Sequence, residues 1–187
     1  MRDLPVKILN HQIIIDTKSK VKNNDPMKKI KIYLETSAIS NLEQLDIPEQ
    51  MSDMRVLWEL LKHKIYDVVV SSITHKELES TKDAEKRDLL FDYLDSIDYE
   101  FIERNSEIEA IADDIISKGI LTKNSYSDCL HIACALITNC DCIVSYNFRH
   151  LVNIRTIKGV QAISMLQGYV NLNIVPAKAL ITEGDEQ

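Results

Sequence analysis

From Ile30 onward, short apolar runs alternate with longer segments of helical period. Lys29–Leu34 reads as a strand, followed by Glu35-Thr36-Ser37 as a loop into a short helix. Over Pro48–Lys64, Met51, Met54, Leu57, Trp58 and Leu61 recur at helical spacing. Asp67–Val70 contains three consecutive valines and predicts a buried strand, and Ser71-Ser72 offers an N-cap for a helix through Glu79. Asp83–Ser96 is a charged helix with Leu89, Leu90, Tyr93 and Leu94 on its apolar side. A short strand is expected over Tyr99–Ile102, and a helix over Ser106–Lys118 ended by Gly119. Ser127–Thr138 predicts an apolar helix and Cys142–Ser145 a buried strand; Val160–Met165 and Asn173–Val175 are less patterned. Strands alternating with helices predict a parallel sheet covered on both faces.

Ahead of this body, Ile13-Ile14-Ile15 suits a short strand, and Lys18–Pro26 reads as a polar, basic linker. Residues 1–28 are therefore expected to be a basic tail or extension, and residues 29–187 the folded domain. Met27 before Lys28-Lys29 and an apolar strand has the look of a natural start. The first 30 residues hold seven Lys/Arg against three Asp/Glu, a net of +4. The rest carries 15 against 26, a net of −11. So acidic a body attracts nucleic acid poorly unless its acids hold divalent cations, which invert the local sign.

Composition narrows the class. With 187 residues, 45% of them apolar, the chain has material for one core. Four glycines, all far apart, leave no phosphate-cradling loop of the P-loop or dinucleotide type. No apolar run is long enough to span a bilayer and the first residues lack a secretory pattern, so a cytoplasmic protein is expected. Cys129, Cys134, Cys140 and Cys142 crowd into one region. They lack the paired spacing of structural zinc and read as small buried thiols.

In a parallel α/β sheet, ligand sites form outside the carboxyl ends of the strands. Glu35 follows the first strand at once, Glu77 lies in the helix after the valine strand, Asp128 opens an apolar helix, and Asn147 follows Ile143-Val144-Ser145. These four groups are expected to meet at one sheet edge. Three carboxylates in one cleft repel unless a cation joins them, and hard oxygen ligands suit Mg²⁺ or Mn²⁺. Such a site orients a phosphodiester and lowers the pKa of a bound water. Glu35 and Asp128 are expected as direct ligands; Glu77 either ligates or holds a water. Thr36 or Ser37 would offer a hydroxyl to phosphate or to a metal-bound water. Taken alone, Glu77 and Asp128 also suit the positive end of a helix dipole. Glu35 has a weaker alternative as an N-cap. Arg149 either meets a substrate phosphate or pairs with a surface acid. His131, three residues beyond Asp128 on a neighbouring part of the same helical face, reads as a satisfied semi-buried histidine, with contact to substrate or to an acid of the site as the alternative; His75 reads as solvent-facing.

The same residues resemble a known family. Lys31–Ser40 (Lys-Ile-Tyr-Leu-Glu-Thr-Ser-Ala-Ile-Ser) is similar to the opening of a PIN domain, where an acid and Thr/Ser follow the first strand. Val70–Leu78 resembles the second acidic motif, Ser127–Ala133 the third, and Cys140–Asn153 the fourth, in the variant with Asn at the acid position. The resemblance runs from about Lys29 to about Ile181. It implies a three-layer α/β/α sandwich, and a Mg²⁺- or Mn²⁺-dependent endoribonuclease acting on single-stranded RNA and leaving a 5′-phosphate and a 3′-hydroxyl. It further implies a VapC-type toxin with an antitoxin partner, and a homodimer. Glu35, Glu77 and Asp128 become the metal-binding acids and Asn147 the fourth position. Glu35 departs from the usual Asp by one methylene, and Asn147 brings no charge to a second metal. A catalytically silent PIN-like module that binds RNA or a protein partner is the alternative reading.

Overall fold

The computed structural model describes residues 6–9, 12–15 and 28–181. The first two segments are strands β1 (Val6–Leu9) and β2 (Gln12–Ile15), paired antiparallel with Val6 opposite Ile15. β2 contains the expected Ile13–Ile15 strand; β1 is an addition to the expected elements. The basic linker Lys18–Pro26 and the end of the chain from residue 182 lie outside the described residues.

The body carries β3 (Lys31–Leu34), β4 (Asp67–Ser71), β5 (Glu100–Ile102), β6 (Cys142–Val144) and β7 (Asn173–Val175). They form one sheet in the order β5-β4-β3-β6-β7, every pair parallel. Helices α1 (Thr36–Ser40), α2 (Pro48–Lys62), α3 (Ser72–Glu79), α4 (Ala84–Asp95), α5 (Ser106–Ser117), α6 (Tyr126–Ile137) and α7 (Ile154–Gln167) connect them.

Strand periodicity splits the core in two. Tyr33, Val69, Ile143 and Ile174 point to one face, packed against buried residues of α5, α6 and α7. Ile32, Leu34, Val68, Val70, Cys142 and Val144 point to the other, against α1, α2 and α4. This is the three-layer α/β/α arrangement expected. The chain builds outward from β3 through β4 to β5, then returns to the other side of β3 for β6 and β7. The strand order therefore reverses between β3 and β6, which opens a crevice at their carboxyl ends.

Local chemistry sets the element ends. Ser71 caps α3 by accepting the Thr74 N–H at 3.2 Å, and Asp83, Asn105 and Asn153 cap α4, α5 and α7 in the same way. Gly119 (φ 68°) follows α5 and Gly168 (φ 75°) closes α7. Val160–Met165 is thus the interior of a longer helix than the apolar pattern marks. That helix contains Gly159, where a Cβ would come within 2.8 Å of the Ile120 side chain. It also leaves Met165 and Leu166 exposed, which blurs its period.

Two side chains differ from expectation. Leu89 is exposed, because α4 turns Leu90 and Leu94 into the core instead. His75 is half-buried, not solvent-facing. Its ring lies edge-on to Phe91 and Phe101, and its Nε2 is 3.3 Å from the Tyr99 hydroxyl. Among the described residues no helix is long and apolar enough to cross a membrane.

Candidate metal centre

Glu35 sits where β3 ends. Its N–H still donates to the Val144 carbonyl of β6 at 3.2 Å, so the backbone here belongs to the sheet. It occupies the N-cap position of α1 but its side chain caps nothing, which removes the N-cap explanation. The residue is 5% exposed. Its carboxylate accepts hydroxyl hydrogen bonds from Ser37 and, at 2.9 Å, from Ser145. Ser37 Oγ in turn accepts the Tyr146 N–H at 2.8 Å, and Ser145 Oγ accepts the Asn147 N–H at 3.0 Å. The two serines thus lock the ends of β3 and β6 around one acid. Among the described residues Glu35 forms no salt bridge, an expensive state for a buried carboxylate unless a cation joins it.

Glu77 lies in the second turn of α3, past the turn where the helix dipole would account for it. One oxygen accepts from the Thr36 hydroxyl and the other from Ser127. His131 Nε2 approaches Oε2 at 3.1 Å. Burial alone would raise the Glu77 pKa. The His131 hydrogen bond and charge outweigh it, with Ser127 and Thr36 adding to the effect, and bring the group down to about 2.

His131 is 1% exposed, as its apolar sequence neighbours suggest. The structure nonetheless makes it the hub of the site. Burial would lower its pKa, yet the Glu77 hydrogen bond and the charges of Glu35, Glu77 and Asp128 raise it. Its Nδ1 is 2.7 Å from the Tyr33 hydroxyl, which lies 2.6 Å from Ser71 Oγ and 3.3 Å from Thr74 Oγ1. Thr74 Oγ1 donates to the Leu34 carbonyl at 3.3 Å. This buried chain ties β3, α3 and α6 together behind the acids. Tyr33→Phe would leave His131 Nδ1 and Ser71 Oγ each short of a buried partner. We expect it to lower unfolding free energy by about 1–3 kcal/mol, measured by urea denaturation of the metal-free protein.

Asp128 lies in the first turn of α6, so the dipole explanation still applies to it. Its Oδ1 accepts from Asn147 Nδ2 at 2.8 Å. Asn147 Oδ1 accepts the His150 N–H at 3.1 Å, which fixes the amide orientation and aims the NH₂ at Asp128. Burial raises the Asp128 pKa; the charge of Glu35 adds to this, while His150, Ser125 and His131 oppose it.

One ligand atom each from Glu35, Glu77 and His131 lie within 4.8 Å of one another. Asp128 stands outside that trio, held by Asn147, but close enough to feel Glu35 and His131. Thr36 and Ser37 spend their hydroxyls on Glu77 and Glu35. Arg149 is exposed on the loop after β6, with its carbonyl accepting from Asn153 Nδ2 at 3.4 Å. His131 is the site residue whose contact with an acid the sequence offers only as the alternative to a satisfied semi-buried histidine. The signal is its i+3 spacing from Asp128 on one helical face. Two carboxylates and an imidazole, with an acid buried among hydroxyls, fit a small divalent cation.

Other clusters fall away. The four cysteines are buried and unpaired, and burial pushes the Cys129, Cys134 and Cys142 thiols up to about 12. Asp141 lies at the opposite end of β6, where its Oδ2 accepts the Lys31 N–H at 2.7 Å.

A family model described as PIN domain matches residues 32–154, well over half of the chain. Among curated protein sequences none matches. Twelve chains of solved structures do. One belongs to the VapBC2 assembly from Rickettsia felis bound to a DNA fragment from their promoter. It is 17% identical with a TM-score of 0.50, and the match covers 79% of this chain and 98% of that one. At that identity the likeness concerns the fold.

Proposed function

Because the chain belongs to the PIN domain family, we propose that it is a divalent-metal-dependent endoribonuclease acting on single-stranded RNA. The observation that carries this reading is the convergence of Glu35, Glu77 and His131 at the carboxyl ends of β3, β4 and β6. Glu35 and Glu77 hold a Mg²⁺ or Mn²⁺ ion, with His131 as the nitrogen donor or as the group that aims Glu77. Asp128 completes the acidic edge. When bound, the cation neutralises phosphodiester charge and lowers the pKa of an attacking water. Ser37 and Ser145 orient the Glu35 carboxylate, and Thr36 and Ser127 orient that of Glu77. Asn147 keeps Asp128 in place, and Arg149 offers a cation to a neighbouring phosphate.

The solved relative comes from a two-protein assembly on promoter DNA. That supports a toxin held by an antitoxin partner; a homodimer and a cytoplasmic location are part of the same proposal.

The test is cleavage of a single-stranded RNA by purified protein. Cleavage is expected with Mn²⁺, with 5′-phosphate products, and is abolished by EDTA. Failure with both Mn²⁺ and Mg²⁺ would overturn the nuclease reading. The neutral Asn147 on Asp128 favours a second reading, a catalytically silent module that binds RNA or a protein partner. RNA binding without cleavage, and without stabilisation by millimolar Mn²⁺, would select it.

A further inference from the structure

A groove of about 300 Å³ between α3 and α6 reaches the site from one side, and its wall includes Glu77 itself. That volume lies at the small end of the range of about 300–1,000 Å³ for ligand sites, room for one nucleotide unit and not a folded element. Its lining departs from the acidic character of the body. Lys76 of α3 and Arg104, from the segment after β5, bring two cations, and Tyr126 of α6 brings an aromatic ring. Ile73 adds an apolar surface.

The cations are placed by the fold. The Arg104 N–H donates to Ser72 Oγ at 3.0 Å, which pins the segment leaving β5 to the start of α3. Arg104 Nε and Nη2 both lie 2.8 Å from Glu109 Oε1. That pairing holds the guanidinium 6.0 Å from the centre of the Tyr126 ring. An exposed pair of this kind adds little to stability. What it provides is a guanidinium within cation–π reach of a phenol ring, beside a carboxylate proposed to hold metal.

We propose that the groove bounded by Lys76, Arg104 and Tyr126 binds the nucleotide next to the scissile phosphate of a single-stranded RNA. The base stacks on the Tyr126–Arg104 platform, and the flanking phosphate meets Lys76. Stacking platforms joined to cations are how proteins hold single strands without base-specific hydrogen bonds. Because Glu77 forms part of its wall, the groove sets which stretch of strand reaches the acids. The inference rests on the ribonuclease reading and names where its substrate lies.

The experiment is fluorescence anisotropy of a labelled single-stranded RNA titrated with full-length protein in EDTA, so that nothing is cut. Arg104→Ala and Tyr126→Leu are each expected to weaken binding at least about fivefold. Tyr126→Phe, which keeps the ring, is expected to bind like the parent. Lys76→Ala should weaken binding and reduce the slope of log affinity against log salt by about one. Lys62→Ala, on α2 across the sheet, makes the same charge change at a distance and should have no effect. If the parent binds RNA and the Arg104 and Tyr126 variants bind equally well, the groove is not the subsite, while the nuclease reading stands. If the variants bind RNA normally but lose capture of an antitoxin-type peptide, the groove belongs to a protein partner and the proposal is overturned. If the parent binds no RNA, both this inference and the reading beneath it fail.

Discussion

Glu35→Gln is expected to lower Mn²⁺-dependent RNA cleavage by on the order of a hundredfold or more. The several kcal/mol a bound cation contributes to charge stabilisation converts to at least that factor. The substitution keeps the side-chain volume and an acceptor oxygen for Ser37 and Ser145, so the β3–β6 junction stays intact. What it removes is a negative charge on a residue that is 5% exposed and without an ion pair among the described residues. The metal-free Glu35→Gln variant should therefore unfold at the same temperature as the parent or slightly higher, because a desolvated charge has gone. The parent's stabilisation by Mn²⁺ should disappear, since ligand linkage needs the ligand to bind. Thermal melts with and without Mn²⁺, beside the cleavage assay, separate the two effects. A variant that cleaves normally would remove Glu35 from the site. One that melts far lower without metal would make Glu35 a structural acid.

The positions of these acids are legible in the sequence because a parallel sheet is a strong constraint. Once Lys31–Leu34, the valine strand and Ile143–Val144 are read as parallel neighbours, their carboxyl ends have to share an edge. Glu35, Glu77, Asp128 and Asn147 then fall near it. Short, continuous apolar strands between clear helices carry that information in a single sequence. Backbone topology does not determine which side chain touches which. Asp128 and His131 are one turn apart on α6, and both face the crevice. The deeper of the two points at Glu77, and the one nearer the helix start is met by the Asn147 amide.

His131 is only half legible in the sequence, for a physical reason. A histidine amid Cys129, Leu130, Ile132 and Ala133 looks like core filler, and by burial it is. Its role depends on Tyr33, almost a hundred residues away in sequence, which takes up the second ring nitrogen. No local pattern encodes that pairing. His75 shows the same limit in reverse. Its aromatic neighbours come from α4 and β5, and only the tertiary fold gathers them. The length of α7 is obscured because Gly159 and the exposed Met165 and Leu166 interrupt its apolar stripe, while its caps, Asn153 and Gly168, are single residues easily read as loop.

Asn147→Asp is expected to make the protein's stability depend on metal. In the parent, the Asn147 NH₂ donates to Asp128 Oδ1 at 2.8 Å while its carbonyl accepts the His150 N–H. The introduced carboxylate would keep the second contact and turn the first into two acceptor oxygens facing each other. Asp128 is already raised by burial and by Glu35, with His150 and His131 opposing that rise without cancelling it, so another carboxylate adds repulsion at this edge. In EDTA the variant should lose about 1–3 kcal/mol of stability, the cost of a part-buried polar pair made repulsive. Mn²⁺ should restore that loss and stabilise the variant more than the parent, because the added carboxylate is also an added ligand. Asn147→Ala separates the terms: it loses the tether without gaining a charge, and its deficit should not respond to Mn²⁺ beyond the parent's response. If the Asn147→Asp protein melts like the parent in EDTA, the amide is not what holds Asp128. If it is destabilised but Mn²⁺ does not rescue it, the Asp128–Asn147 end of the crevice lies beyond the reach of a cation. Catalysis would then rest on the Glu35, Glu77 and His131 trio alone.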